Sequence, residues 1–199
     1  MWIRKYEFYY ECSGLTKWLA GANMTGVMED ERRKQTEQKL IESGKAEFLK
    51  KGYAKANLRD ICKAAGVTTG AFYFSFANKE ALLAAILDPV IADYERMCSM
   101  FAQREEEDPG TADDNERQIM EYLSAHRMEA IILMDQCAGS RYEMFKPQIK
   151  LQMQEAFTSF FTKFMGRKPD AELIRILVSM RLQGYMELIR GDYTVEERI

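Results

Sequence analysis

Eight residues between positions 57 and 79 have the sizes and hydrogen-bonding groups that contact with double-stranded DNA requires. Hydroxyl, amide and cationic side chains can bind phosphate oxygens or base edges, and small residues let the backbone approach a groove wall. The predicted DNA-binding residues are Asn57, Arg59, Thr68, Thr69, Gly70, Ala71, Tyr73 and Lys79.

These residues divide between two expected tasks. Thr68, Thr69 and Ala71 would face base edges, as the first turn of a recognition helix does in helix-turn-helix proteins. Tyr73 and Lys79 would contact the phosphate backbone, which positions a protein without conveying sequence. Three of the residues also have a simpler interpretation. Tyr73 could be a core aromatic, Lys79 a solvated charge and Arg59 a charge on a helix surface.

The other reactive residues do not form a pattern typical of an enzyme or a metal site. The chain has one histidine, His126, and no glycine-rich phosphate loop. Its four cysteines stand far apart without a CxxC pair; they are Cys12, Cys62, Cys98 and Cys137. We therefore expect reduced thiols, no metal, no cofactor and no enzymatic activity.

The local signals around the predicted DNA-binding residues favour a helix-turn-helix. An amphipathic helix from Thr36 ends at Gly52, and Asn57 is a good N-cap for a second helix that ends at Gly66. Thr68 is the N-cap of a third helix, which runs to Phe76. Two short helices joined by a turn with glycine are typical of this motif.

Residues 66–83, which read GVTTGAFYFSFANKEALL, resemble the recognition helix and following linker of TetR-family regulators. Phe48, Gly52-Tyr53 and residues 58–67 resemble the same domain at the same spacing. Two positions depart from the family pattern. Thr69 stands where the family often has a basic residue, and Phe74-Ser75 replace a pair that contains His or Tyr, so no base preference follows from the resemblance.

The charge distribution supports a division of the chain into a basic and an acidic part. Residues 32–80 contain eleven Lys and Arg against five Asp and Glu, although the whole chain has a net charge of -3. Only the basic part suits phosphate binding. We predict an extension over residues 1–27, disordered or upstream of the true start, a DNA-binding domain over 28–80 and a helical domain over 81–199.

The second part of the sequence predicts helices and no strand. The expected helices cover residues 80–101 with a kink at Pro89, 116–125, 128–137, 142–165 and 170–190, and residues 105–114 form a loop. The predicted fold class is therefore all-α, with an N-terminal three-helix helix-turn-helix domain followed by a helical ligand-binding and dimerisation domain, which is also what the resemblance implies.

Two apolar stripes at helical spacing mark the last two predicted helices. Core packing explains such stripes, but the resemblance implies that these helices form a four-helix dimer interface. The predicted interface residues are Met153, Phe157, Phe160, Phe164, Leu173, Leu177, Met180 and Gly184.

Methionines and aromatic residues are frequent in the middle helices, which indicates either a Met-rich core or an adaptable cavity for a small-molecule effector. The predicted pocket residues are Tyr94, Met97, Phe101, Met120, Tyr122, His126, Met134 and Tyr142.

Together these patterns predict a cytoplasmic transcriptional regulator that binds operator DNA as a homodimer. The resemblance implies a repressor that a small molecule releases from DNA. The alternative is a helical DNA-binding or adaptor module without an effector. No apolar segment of the sequence predicts a signal peptide or a membrane span.

Overall fold

The computed structural model describes the backbone of residues 15–191 and of Tyr193, and the side chains from Met28 onward except those of residues 106 and 109. Within this range the chain forms eight α-helices, one short 3-10 helix and no strand, which confirms the all-α fold class. The α-helices are α1 (Leu15–Lys55), α2 (Leu58–Ala65), α3 (Thr69–Ser75), α4 (Lys79–Glu107), α5 (Ala112–Ala125), α6 (Arg127–Asp135), α7 (Phe145–Met165) and α8 (Ala171–Arg190).

Side-chain caps define the starts of α2, α3 and α4. The Asn57 side chain accepts a hydrogen bond from the backbone N–H of Arg59 at 2.9 Å, and Thr68 Oγ1 accepts one from Ala71 N–H at 3.1 Å. Gly66 ends α2 in the left-handed conformation, with φ 68° and ψ 30°, which glycine adopts without steric cost. The helix-turn-helix over α2 and α3 therefore forms where the sequence predicts it.

Helix α1 begins much earlier than the sequence predicts. It extends back to Leu15, so the later part of the predicted extension over residues 1–27 is helical, whereas residues 1–14 lie outside the described residues. At the predicted stop, Gly52 has φ 73° and ψ 158°, which breaks the helical backbone before a last turn to Lys55.

Three other helix bounds differ from the prediction. Helix α4 continues through Pro89 to Glu107, and α5 begins at Ala112 because a 3-10 turn at Pro109–Thr111 leads directly into it. Helix α7 begins only at Phe145, since the preceding residues form turns in which Gly139 has φ 79°. These turns lie beside the start of α4.

One hydrophobic core joins the two predicted domains. Phe48 of α1, Ile61 of α2 and Phe72 of α3 are fully buried, and the same cluster contains Ile132 of α6 and Tyr142 of the following turn. The predicted boundary near residue 80 therefore crosses a continuous core. None of the helices in the described residues has the length and apolar character that a membrane span needs.

Candidate DNA interface and effector cavity

Helix α3 has one face buried in the core and one face open to solvent. Phe72 is fully buried and Ala71 half-buried, so both belong to the inner face. Thr69, Gly70 and Tyr73 are exposed, and they share the outer face because residues three and four apart are neighbours on a helix. The outer face thus brings together three of the predicted DNA-binding residues.

Two of the predicted DNA-binding residues already have a structural task. The side-chain oxygens of Asn57 and Thr68 cap the first turns of α2 and α3. Both residues are exposed, so they lie at the surface that would meet DNA while fixing the direction of the two helices.

Lys79 connects the start of α4 to the end of α1. Its Nζ donates hydrogen bonds to the backbone carbonyls of Tyr53 at 2.6 Å and Ala56 at 3.1 Å. It also lies over the Tyr53 ring, 4.4 Å from the centroid. Since an ammonium group has three protons, one remains available for a phosphate.

The cations next to α3 differ in their partners. Lys51 is held by Glu47 at 2.7 Å and Asp60 at 2.9 Å. Arg59 is exposed, and no acidic side chain among the described residues forms an ion pair with it. Helix α3 itself contains no charged residue, so the long-range attraction of phosphate depends on cations of other helices, such as Arg59 on α2.

Phe74 is an exposed residue of α3 that the predicted DNA-binding set omitted. Its side chain is 87% exposed, the largest value among the large hydrophobic residues described. It lies four positions after Gly70 and next to Tyr73. Helical spacing alone places it on the outer face, so this signal was present in the sequence.

A partly open cavity of about 790 Å³ lies among α4, α5, α6, α7 and α8. Of the eight predicted pocket residues, Tyr94 and Met134 line it. Its wall is mainly apolar and includes Ile91, Ile119, Leu123, Leu133, Ile149, Leu177 and Met186. A cavity of this size suits a small organic molecule.

Six predicted pocket residues do not line the main cavity. Tyr142 lines a second cleft between α4 and α7, and Met120 lines a third near the start of α5. The remaining four predicted residues line none of these three cavities; they are Met97, Phe101, Tyr122 and His126. The rings of Tyr122 and His126 instead contact each other in a tilted arrangement, with centroids 4.5 Å apart.

The polar part of the cavity is organised around Glu116. Its carboxylate forms an ion pair with Arg181 at 2.7 Å and accepts a hydrogen bond from the Tyr185 hydroxyl. The Arg181 guanidinium lies over the rings of Phe157 and Tyr185. Burial, together with this carboxylate, raises the pKa of Tyr185, so its hydroxyl remains a donor.

The predicted dimer residues lie on α7 and α8, and several of them are strongly exposed. Phe160 is 62% exposed, Phe164 78% and Met180 66%. The rings of Phe160 and Phe164 stack 6.3 Å apart. Met153, Phe157, Phe160 and Leu177 also line the main cavity, so the predicted interface and the cavity share one wall.

Helix α6 and the turn after it contact the DNA-binding part directly. Lys45 Nζ of α1 lies 2.6 Å from Glu129 Oε1 of α6, and Gln136 O accepts a hydrogen bond from Tyr53 N–H at 2.8 Å. Glu80 Oε1 accepts one from Arg141 N–H at 2.9 Å. These contacts are called the α6 junction below. Among the described residues, no cluster of His, Cys, Asp and Glu could hold a metal ion.

Comparison of the sequence with known families places the similarity at the N-terminal part. A model described as "Bacterial regulatory proteins, tetR family" matches residues 40–86. The HTH-type transcriptional regulator TtgR of Pseudomonas putida is 35% identical over 79 residues, which cover 40% of this chain and 38% of that protein. The probable acrEF/envCD operon repressor of Escherichia coli is 48% identical over 48 residues, 24% and 22% of the two chains. The matches thus span well under half the length of these curated relatives.

Solved structures share the fold over most of the chain. A transcriptional regulator of Aquifex aeolicus has a TM-score of 0.54 at 21% identity and covers 82% of this chain and 92% of its own. A gamma-butyrolactone receptor, an ArpA-like protein, has a TM-score of 0.53 at 24% identity and covers 84% of this chain and 92% of its own. At these identities the similarity establishes the fold alone, including its helical C-terminal part.

Proposed function

We propose that this chain is a TetR-family transcriptional regulator, because the family's DNA-binding domain matches residues 40–86 and the helical body shares its fold with a solved transcriptional regulator. It binds operator DNA as a homodimer through α3 and leaves the DNA when a small molecule occupies the main cavity. Its place of action is the cytoplasm, where it would meet the chromosome. The main observation that supports the proposal is the solvent-exposed outer face of α3. The side-chain caps of α2 and α3 and the buried core beneath them fix the position of this face.

The direct test is selection of binding sequences from a random double-stranded library with the purified full chain. We expect one enriched sequence with two related half-sites, because a symmetric dimer presents two copies of α3. Failure to enrich any sequence, at low salt as well as at physiological salt, would refute DNA recognition by this protein.

Tyr73→Phe is expected to weaken binding of the selected operator and of random DNA by a similar factor, roughly tenfold for one lost hydrogen bond to a charged phosphate. The Tyr73 side chain is 59% exposed, so loss of its hydroxyl leaves the core intact. Fluorescence anisotropy at fixed salt measures both affinities. Tyr193→Phe, at an exposed tyrosine far along the chain, is the control and should bind normally. A selective loss on the operator alone would contradict a phosphate contact.

The proposed dimer is supported by the apolar surface that α7 and α8 expose. Exposed large hydrophobic residues are concentrated on these two helices, and such a patch marks an interaction surface. The same two helices pack against each other, so one rigid pair would meet the pair of a second copy. Association of two copies also supplies the second recognition helix.

The effector proposal rests on the position of the cavity relative to the α6 junction. Ala130 and Leu133 of α6 line the cavity, while Glu129 and Ile132 of the same helix contact the DNA-binding part. Helix α4 connects the same two regions, because its middle turns line the cavity and Lys79 at its start contacts α1. A ligand that shifts either helix would move α3. The mainly apolar wall suits a mainly apolar effector.

Filling the cavity should imitate the effector. Leu123→Trp, on α5, is expected to lower operator affinity at least about fivefold without ligand, which is the lower end of a typical allosteric coupling of about 1 to 3 kcal/mol. Anisotropy titration measures the loss, and sedimentation confirms the dimer. Met97→Trp is the matched control, since Met97 is half-buried but does not line the cavity. If the protein were a DNA-binding module without an effector, both variants would bind the operator with equal affinity.

A further inference from the structure

Phe74 is the most exposed large hydrophobic residue in the part of the chain that the structure describes. An exposed phenylalanine ring is unfavourable in water, since burial of such a side chain gains about 1.5 to 3 kcal/mol. Its neighbours Phe72 and Phe76 are buried and hold α3 on the core. Phe74 makes no comparable contact with the protein, so its ring is available to a partner.

The surroundings of Phe74 favour DNA as that partner. The outer face of α3 also presents Thr69 and Tyr73, whose hydroxyls can bind base edges or phosphates, and α3 contains no acidic residue. The nearby Arg59 has no acidic partner among the described residues. The outer face of α3 therefore has no negative charge that would repel phosphate, and Arg59 of the preceding helix α2 contributes a positive charge that attracts it.

Space beside Phe74 supports a close approach. Gly70 lies one turn before it on the same face, and a Cβ placed on Gly70 would meet only Thr68 Oγ1, at 3.7 Å. The absence of a side chain there is therefore not demanded by packing within the protein. It leaves an open surface next to the ring, into which a group on the DNA could fit.

The chemistry of the ring identifies that group. Phenylalanine neither donates nor accepts hydrogen bonds, so it cannot read the donor and acceptor pattern of a base. In the major groove the apolar group on base edges is the C5-methyl of thymine. We propose that Phe74 is a specificity-determining residue that contacts a thymine methyl in each half-site of the operator. This inference rests on the proposed function, because it assumes that α3 enters the major groove.

The test removes one methyl group at a time from the DNA. In the selected operator, each thymine of a half-site is replaced singly by deoxyuridine, which lacks only the C5-methyl. For the wild-type protein we expect a loss of about fourfold at one thymine, the value for one buried carbon group. Phe74→Ala should lower operator affinity on the order of tenfold and bind the thymine and uracil versions of that position equally well.

Two controls separate the ring from the rest of the face. Tyr73→Phe should weaken binding but keep the full loss at the same uracil position. Phe74→Leu should keep part of the affinity loss at that uracil position, because leucine retains apolar surface. Since Phe74 is exposed, thermal unfolding of Phe74→Ala should match that of the wild type, so a binding loss cannot come from misfolding.

The outcomes distinguish this inference from the proposed function. If no operator is enriched, the proposed function fails and the inference fails with it. If an operator is bound but wild type and Phe74→Ala show the same profile of uracil effects, the thymine contact is refuted while DNA recognition stands. Unchanged operator affinity of Phe74→Ala would also refute it, and would point to a protein partner for the ring.

Discussion

Replacing Phe160 and Met180 together by glutamate is expected to produce a monomer that binds operator DNA at least about 100-fold more weakly. Both side chains are mostly exposed in the single chain, at 62% and 66%, so the substitutions leave its core intact. In the proposed dimer they would place charges in an apolar contact, where an unpaired charge is strongly unfavourable. A monomer also loses the second linked half-site, and such linkage typically strengthens binding about 10²- to 10⁴-fold.

Sedimentation equilibrium measures the mass, and anisotropy with the selected operator measures the affinity. The matched control is Leu151→Glu, at a residue of α7 that is 59% exposed. Leu151 lies nine positions before Phe160, which places it on the opposite side of the helix at about 100° per residue. The control should remain dimeric. A double variant that kept the dimer mass would contradict the interface on α7 and α8.

Replacing Glu129 by alanine is expected to lower the free energy of unfolding by about 2 kcal/mol, because it leaves the half-buried amine of Lys45 without its closest partner. The side chains of Lys45 and Glu129 are 17% and 9% exposed. Burial alone would lower the pKa of Lys45, but its hydrogen bonds to Glu129 and Glu42 outweigh burial and raise that pKa. The ammonium therefore remains charged at neutral pH and needs a carboxylate.

Urea unfolding at neutral pH gives the free energies. Glu42→Ala is the control, since Glu42 contacts the same ammonium at 3.3 Å but is 51% exposed, and it should cost less than about 0.5 kcal/mol. The double variant Lys45→Met with Glu129→Met should recover most of the loss, as apolar replacement of a buried pair often does. A cost for Glu129→Ala no larger than that for Glu42→Ala would show that the pair does not stabilise the α6 junction.

The features that the sequence predicted correctly depend on residues close together in the chain. Asn57 and Thr68 cap their helices in the structure because a cap needs only the next two or three N–H groups. Gly66 ends α2 for an equally local reason. The helix-turn-helix and the all-α class could therefore be predicted before any tertiary contact was known.

The cavity could be predicted only as a region, because its lining depends on how separate helices pack. Composition identified the middle helices, but Tyr122 faces His126 rather than the cavity, and Phe101 is buried elsewhere. Helical periodicity identifies the apolar stripe of a helix, but it does not identify which other helix packs against that stripe. Likewise, nothing near Glu129 in the sequence indicates a partner at Lys45, since 84 positions separate them. The DNA-binding and dimer residues stay predictions until the variants above are measured.

The core that α6 shares with the first three helices limits how this protein can be rebuilt by recombination. Exchange of DNA-binding segments between regulators is an attractive route to new sensors, and residue 80 looks like a natural crossover point. A cut there would separate Phe48 and Phe72 from Ile132 and Tyr142, which pack in the same cluster. A working chimera of this protein would have to inherit α1 to α3, the first turns of α4 over residues 82–87 and the segment 129–142 from the same parent, or have these parts redesigned together.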